Sequence, residues 1–286
     1  MFLQTFKDGF LHGILPSLPF LGVGLVFLWI GKLINDLLTP YKIDRVISEG
    51  NPALGISLAG YYAGIAIGIS GSFIGGSRGF WIDMRDVAIY SLAAVVLLNI
   101  ARYINDYLIL YRFRNVRELI EERNVGVGAV MAGGYLATGL IVRASIAGEG
   151  GSWLTALVFF LIGQAVLVLA GLWYQLITPY DVHEAIGERN NVAAGVAFGS
   201  FLFAVGYLLH RGLMGDFVGW SFELALSLLY TICSLLILAV VRLITDLIFL
   251  PKVRMGAEIG ERGNVAASLV AAGIYVASVV VITAAV

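Results

Sequence analysis

The sequence predicts an all-α membrane protein of eight transmembrane helices, built as four parallel two-helix repeats with a pseudo-twofold relation between the halves about the membrane normal. Three observations predict it. Of the 286 residues 59% are hydrophobic and only 13% charged, roughly half the charge that coats a soluble domain. Apolar runs long enough to span a bilayer fall near 19–38, 52–75, 87–110, 125–147, 153–177, 192–214, 222–250 and 265–286. Similar polar segments recur after every second run.

Residues 1–17 are expected as an interfacial helix. Phe2, Phe6, Phe10 and Ile14 share one helical face, and Pro16 and Pro19 are expected to break the chain before the first span. Lys7 and Asp8 interrupt the run and no small-residue cleavage site follows, which argues against a removable signal peptide. Residues 18–148 form the first pair of repeats and 149–286 the second.

The recurring segments are Ile47-Ser48-Glu49-Gly50-Asn51, Ile120-Glu121-Glu122-Arg123-Asn124, Ile186-Gly187-Glu188-Arg189-Asn190 and Ile259-Gly260-Glu261-Arg262-Gly263-Asn264, with Gly263 standing as an insertion. Their isoleucines are 73, 66 and 73 residues apart. Thr39-Pro40-Tyr41 recurs as Thr178-Pro179-Tyr180, and Asn105-Asp106 as Thr245-Asp246, so a two-helix unit was doubled and doubled again. Each unit holds an even number of spans, so all four enter the membrane in the same sense. They are expected to close around an axis along the normal. On the Glu-bearing side stand Lys42, Arg45, Arg112, Arg114, Arg117, Arg123, Arg189, Lys252, Arg254 and Arg262, against Lys7, Arg78, Arg85, Arg143 and Arg211 opposite. That excess places the Glu side in the cytoplasm and both termini outside.

Candidate functional residues fall into two sets. In three odd-numbered spans a base precedes an aspartate by four residues: Lys32 and Asp36, Arg102 and Asp106, Arg242 and Asp246. Residues so spaced share a helix face and can neutralise one another, as a structural ion pair or as part of a polar pathway with Asn99. The third unit has Gly171 and Gln175 instead. The second set is the repeated helix-start motif: Glu49, Asn51, Glu122, Asn124, Glu188, Asn190, Glu261 and Asn264. Here asparagine caps the helix and glutamate faces its positive dipole end, and four such termini converging on one ring could bind an ion or a partner. Small residues on the even spans (Gly60, Gly64 and Gly68; Gly128 with Gly133; Gly195 with Gly199; Ser268 with Ala272) suit close helix packing.

The repeated Glu-x-Asn segment followed by glycines in an apolar span resembles the YjfL family of bacterial inner-membrane proteins, the domain of unknown function numbered 350. The likeness covers the chain after residue 18 in a doubled form of four two-helix repeats. The resemblance implies an inner-membrane location and an envelope-stress context, and supplies no catalytic residue.

The formal net charge of −1 argues against a nucleic-acid partner. Cys233 is alone, and His12, His183 and His210 lack zinc-ligand spacing, so no metal or other cofactor and no enzyme activity are expected. Two functions compete. One is a channel or transporter for an ion or small solute. The other is a membrane scaffold that docks a peripheral cytoplasmic protein, or anionic lipid, through the arginines of 112–123. Membrane lipids are the expected surroundings, and self-association into a homo-oligomer is compatible with either.

Overall fold

The computed structural model describes residues 10–74, 77–148, 150–249 and 254–285. Among these, eight helices are long and apolar enough to cross a membrane. A six-residue helix lies in each connector between an odd and an even span. In chain order the helices are α1 Leu15–Leu38, α2 Ile43–Ser48, α3 Pro52–Ser70, α4 Phe80–Ile104, α5 Asn115–Ile120, α6 Val125–Ile146, α7 Trp153–Ile177, α8 Val182–Gly187, α9 Val192–Leu213, α10 Trp220–Ile244, α11 Met255–Gly260 and α12 Val265–Ala285. Each unit is therefore an outer span, a short helix and an inner span.

The first helix departs from expectation. A π-helical turn at Phe10–Ile14 runs directly into α1, which contains both prolines. Pro16 is the second residue of α1 and Pro19 is carried inside the helix, so neither breaks the chain before the first span. Residues 2–9 of the expected interfacial helix lie outside the described residues. The third span also begins earlier than hydropathy suggests, at Phe80. In the third, the added turns hold Asp83, Arg85 and Asp86, and Arg85 pairs with Asp86 at 2.8 Å.

The spans form two rows. In the inner row α3 packs along α6, α6 along α9, and α9 along α12. The outer spans lie over the grooves between inner ones: α4 on α3 and α6, α7 on α6 and α9, α10 on α9 and α12. The inner contacts advance in the same direction on both partners. Gly60 abuts Ala132, Gly64 abuts Tyr135, and Gly71 abuts Arg143, while Gly133 meets Gly199 and Gly206 meets Ala137. The inner spans are therefore parallel. Their expected small-residue faces are what brings them together. A Cβ on Gly128, Gly133, Gly139 or Gly195 would collide with a backbone carbonyl of the neighbouring helix, so the helices touch backbone to backbone. Lipid offers no hydrophobic drive for helices to associate, and such close approach maximises dispersion contacts.

The row is open. α3 and α12 stand at its ends and do not pack along each other. The closed arrangement around one axis, and the ring of four helix termini, are therefore replaced by a line in chain order. Burial follows from that order. In their most apolar 18-residue stretch, α6 and α9 are 78% and 72% buried, α3 and α12 56% and 28%.

Candidate functional site

Functional residues concentrate where the outer spans end and the short helices begin. The connectors share one design. A residue in the left-handed region (Gly50, Arg123, Asn190, Gly263; φ 49° to 72°) precedes an asparagine, and that asparagine's Oδ1 accepts the N–H three residues on. The pairs are Asn51 with Leu54 (3.1 Å), Asn124 with Val127 (3.2 Å), Asn191 with Ala194 (3.0 Å) and Asn264 with Ala267 (3.3 Å). This capping satisfies a helix-terminal donor. Two expectations are corrected. The third cap is Asn191, and Asn190 is the left-handed residue before it. Gly263 is no insertion, because it occupies the place of Arg123 and Asn190.

The amide group of the same side chain reaches the next unit. Asn51 Nδ2 donates to Leu119 O at 2.9 Å, Asn124 Nδ2 to Ile186 O at 2.7 Å, and Asn191 Nδ2 to Ile259 O at 2.7 Å. Each acceptor is the fifth residue of the following short helix. Asn264 Nδ2 donates to Glu258 Oε2 at 3.0 Å. The motif glutamates Glu49, Glu122, Glu188 and Glu261 are all exposed. The glutamates that touch the caps are Glu258 and the buried Glu118, which accepts from Asn124 at 3.1 Å.

The charged pairs rearrange. Lys32 pairs with Asp44 at 2.6 Å rather than with Asp36. Asp36 Oδ1 accepts the Ile43 N–H at 2.8 Å, which starts α2. Arg102 is the least exposed charged residue among those described. Its side chain is 5% exposed, its Nε lies 3.8 Å from Asp106 and its Nη1 donates to Asn35 Oδ1 at 3.2 Å. Asp106 also accepts from Asn115 Nδ2 at 2.8 Å. Arg242 makes no ion pair with Asp246. It donates to Thr178 Oγ1 at 2.8 Å and lies over the Tyr174 ring, 5.4 Å from its centre.

In each half the second outer span, α4 or α10, ends in a π-helical turn, Asn105–Ile109 and Thr245–Phe249. Such turns recur at functional sites because they displace side chains from the helical register. The first-half cluster of Asn35, Arg102, Asn105, Asp106, Asn115 and Tyr135 has second-half counterparts Tyr174, Arg242, Thr245, Asp246, Met255 and Tyr275. Asn105 Nδ2 and Asn115 Oδ1 are buried without a hydrogen-bond partner in the first cluster. The more apolar second cluster encloses a cavity of about 20 Å³, room for about one water. A cleft of about 370 Å³ lined by Tyr180, Asp246, Arg254 and Glu261 opens beside it.

Asn99 sits deeper on α4. Its Nδ2 donates to Tyr61 Oη at 2.7 Å, and that hydroxyl donates to Gly31 O at 3.2 Å. Ser91, Val95, Asn99 and Arg102 follow at steps of four, four and three, one face of α4, and Asp106 stands in the π turn that continues it. Ser91 Oγ is buried without a partner. Near the start of α4, Arg78, Asp83, Asp86 and Tyr90 line a wide cleft of about 830 Å³. Between the cleft and Asn99, Ala94, Val95 and Leu98 are fully buried.

His183, on α8, is buried and donates from Nε2 to Ile109 O at 2.9 Å, tying a short helix to the first π turn. Burial pushes the imidazole below its ordinary 6.5. Asp181 caps α8 by accepting from the His183 and Glu184 N–H groups and pairs with Arg112. Burial alone would raise its carboxyl, but those donors and the guanidinium hold it below the usual range. Sequence reasoning missed Asn35, Asn115, Glu118 and Asn191. Only the Asn-Asp dipeptides at 35–36 and 105–106 could have signalled the first. Among the described residues no three His, Cys, Asp or Glu side chains are grouped to hold a metal.

The family model described as Domain of Unknown Function (DUF350) matches the chain twice, over residues 9–146 and 150–286. The chain belongs to that family. It carries the domain in two tandem copies whose boundary falls between the second and third units. The chain is similar to the UPF0719 transmembrane protein of Aquifex aeolicus (strain VF5), 24% identical over 263 residues that cover 90% of this chain and 95% of that one. No solved structure matches the chain. It is a polytopic membrane protein.

Proposed function

We propose that the protein is a channel or transporter that conducts an ion or small polar solute along the buried face of α4, in the seam between the outer and inner rows. The observation that carries this is the distribution of polarity on that face. Buried Arg102 and half-buried Asp106 lie at one end, Asn99 stands a turn deeper, and Ser91 is buried toward the opposite cleft, which Val87 and Tyr90 line. Charges inside a span are costly and mark pathways by default. Ser91 and Asn99 are about 12 Å apart along the helix axis at 1.5 Å per residue, and Ala94, Val95 and Leu98 fill that interval as a dry seal. The inner row offers no alternative route, since its helices meet backbone to backbone. We propose on the balance of basic residues that the connectors are cytoplasmic and both termini outside, in a bacterial inner membrane, and that the protein works without enzyme activity or cofactor.

The test is solute flux in liposomes containing the purified protein. Leu98→Ser should raise flux by hydrating the seal. Replacing Arg102 and Asp106 together by Met and Leu should leave a folded protein that conducts little. Unchanged flux in that double variant would remove the α4 seam from the pathway. Orientation is tested separately in a Cys233→Ser background. A cysteine at Ser48 should be shielded from an impermeant thiol reagent in intact cells, and one at Ser152 labelled.

The scaffold reading rests on another observation: Arg112, Arg114, Arg117 and Arg123 are all exposed on the connector face. A surface of this kind suits anionic headgroups or an acidic peripheral protein. It predicts a sealed bundle in the same flux assay, with binding to anionic vesicles that weakens as salt rises.

A further inference from the structure

The two ends of the inner row expose faces whose counterparts within the row are mostly buried. On α12, Ala266, Val270, Gly273 and Ala277 share one face. Their counterparts 140 residues earlier on α6 are Gly126, Val130, Gly133 and Ala137, and 73 before those on α3 are Ala53, Ser57, Gly60 and Gly64. All eight counterparts are buried. On α12 the face is exposed, with Val270 at 44% where Val130 is at 1%. Nothing lies within 4 Å of the Gly273 Cβ position. An apolar groove of about 270 Å³, lined by Val241, Ile244, Val270, Gly273 and Ala277, runs along it.

The first unit has the matching vacancy. α6 presents Gly128 and Ala132 to α3, and α9 presents Gly195 and Gly199 to α6. The equivalent residues of α3 are Gly55, with nothing within 4 Å, and Ala59, which is exposed. The outer row agrees. Gly163 of α7 packs on the Ile141 side chain, whereas its counterpart Gly24 on α1 touches nothing. Val281, the α12 counterpart of the fully buried Ile141, is 67% exposed.

We propose that these ends are complementary and that a second copy of the chain docks head to tail, its α3 and α1 continuing the row beyond α12 and α10. The interface is the one this chain already makes three times between its own units, with the same small-residue faces in the same register. All units are parallel, so the second copy sits in the bilayer in the same orientation. Such a heterologous contact uses different faces on its two sides, and it closes into a ring or extends as a line.

Cysteine cross-linking in native membranes tests this, in a Cys233→Ser background. One tagged copy carries Val281→Cys and a differently tagged copy carries Gly24→Cys, the counterparts of Ile141 and Gly163, which meet through a side chain, so that neither change crowds the backbone contact of the inner row. A membrane-permeant oxidant should link the two tags, and neither variant expressed alone should form a covalent dimer. No cross-link in the mixture, or self-linking of Val281→Cys alone, overturns the head-to-tail arrangement. As a second measurement, the native protein in nanodiscs should have a mass that is a multiple of 30.7 kDa. Gly273→Trp should reduce it to a single chain without loss of fold. A single-chain mass for the unmodified protein overturns the proposal, the end faces then being covered by lipid.

Discussion

Asp36 and Gln175 occupy the same station in the first and third units and perform the same task. Asp36 Oδ1 accepts the Ile43 N–H at 2.8 Å, and Gln175 Oε1 accepts the Val182 N–H at 2.9 Å. What these units share is an acceptor seven residues before the short helix, and charge is incidental to it. Asp36→Asn should therefore be tolerated, whereas Asp36→Leu and Gln175→Leu should each cost about 1 kcal/mol, the range of a lost cap. Amide exchange at Ile43 and Val182 should accelerate only in the Leu variants.

Arg123 has φ 50°, where the equivalent residues of the first and last units are glycine. A side chain with a Cβ is strained in this region. Arg123→Gly should stabilise the protein by up to about 1 kcal/mol, less the extra freedom glycine gives the unfolded chain. A fall in melting temperature in detergent would show that the exposed guanidinium contributes more than the backbone strain costs.

Gly133→Ala places a methyl group against the Gly199 backbone, which cannot yield as a side-chain tip would. A loss of about 3 kcal/mol is expected, at the upper end of overpacking. Gly22→Ala, at a position with nothing within 4 Å, should show no loss, and thermal unfolding of the pair separates contact from helix propensity.

For Arg102 and Asp106, removing one partner strands a buried charge. Asp106→Leu should cost about 3 kcal/mol, and adding Arg102→Met should recover most of it, since neither charge then needs a partner. Melting curves of the three proteins decide this; a double variant as weak as the single would mean that Asn35 and Asn115, not the charges, hold the cluster.

His183 makes stability sensitive to mild acid. Its folded pKa lies below the ordinary 6.5, so above that value neither state binds the proton and stability is full. As pH falls below 6.5 the unfolded chain is protonated first and stability declines until the folded pKa is reached. Arg112 and Asp181 are the charged groups facing it, and Asp181, held below its ordinary 3.8, adds a second loss only beneath that value. Between pH 7.5 and 5 the melting temperature should fall in the native protein and stay flatter in His183→Gln.

The span count and the repeat were legible because a bilayer demands about 20 apolar residues per helix and the connectors are polar. The small-residue faces were legible for a similar reason, since helical spacing puts Gly60, Gly64 and Gly68 on one side. Partnerships across the connectors were not. Lys32 was matched with Asp36 by helical spacing, but the chain reverses at Thr39-Pro40 and brings Asp44, twelve residues on, into reach. Asn190 and Asn191 are adjacent, and nothing in their chemistry says which takes the left-handed backbone. Glu118 and Glu258 sit inside short helices too brief to show periodicity, so their burial left no pattern to read.

Every bridging asparagine donates forward, from Asn51 to Leu119, from Asn124 to Ile186 and from Asn191 to Ile259. The docking point is thus always on the part of the chain made first. A ribosome feeding this protein into a membrane from its N-terminus releases each unit next to a neighbour that is already in place, and no inner-row interface waits for a segment more than one unit downstream. Translation order and spatial order coincide, which keeps contacts local and shortens the time that close-packing faces spend exposed to lipid or to the wrong partner.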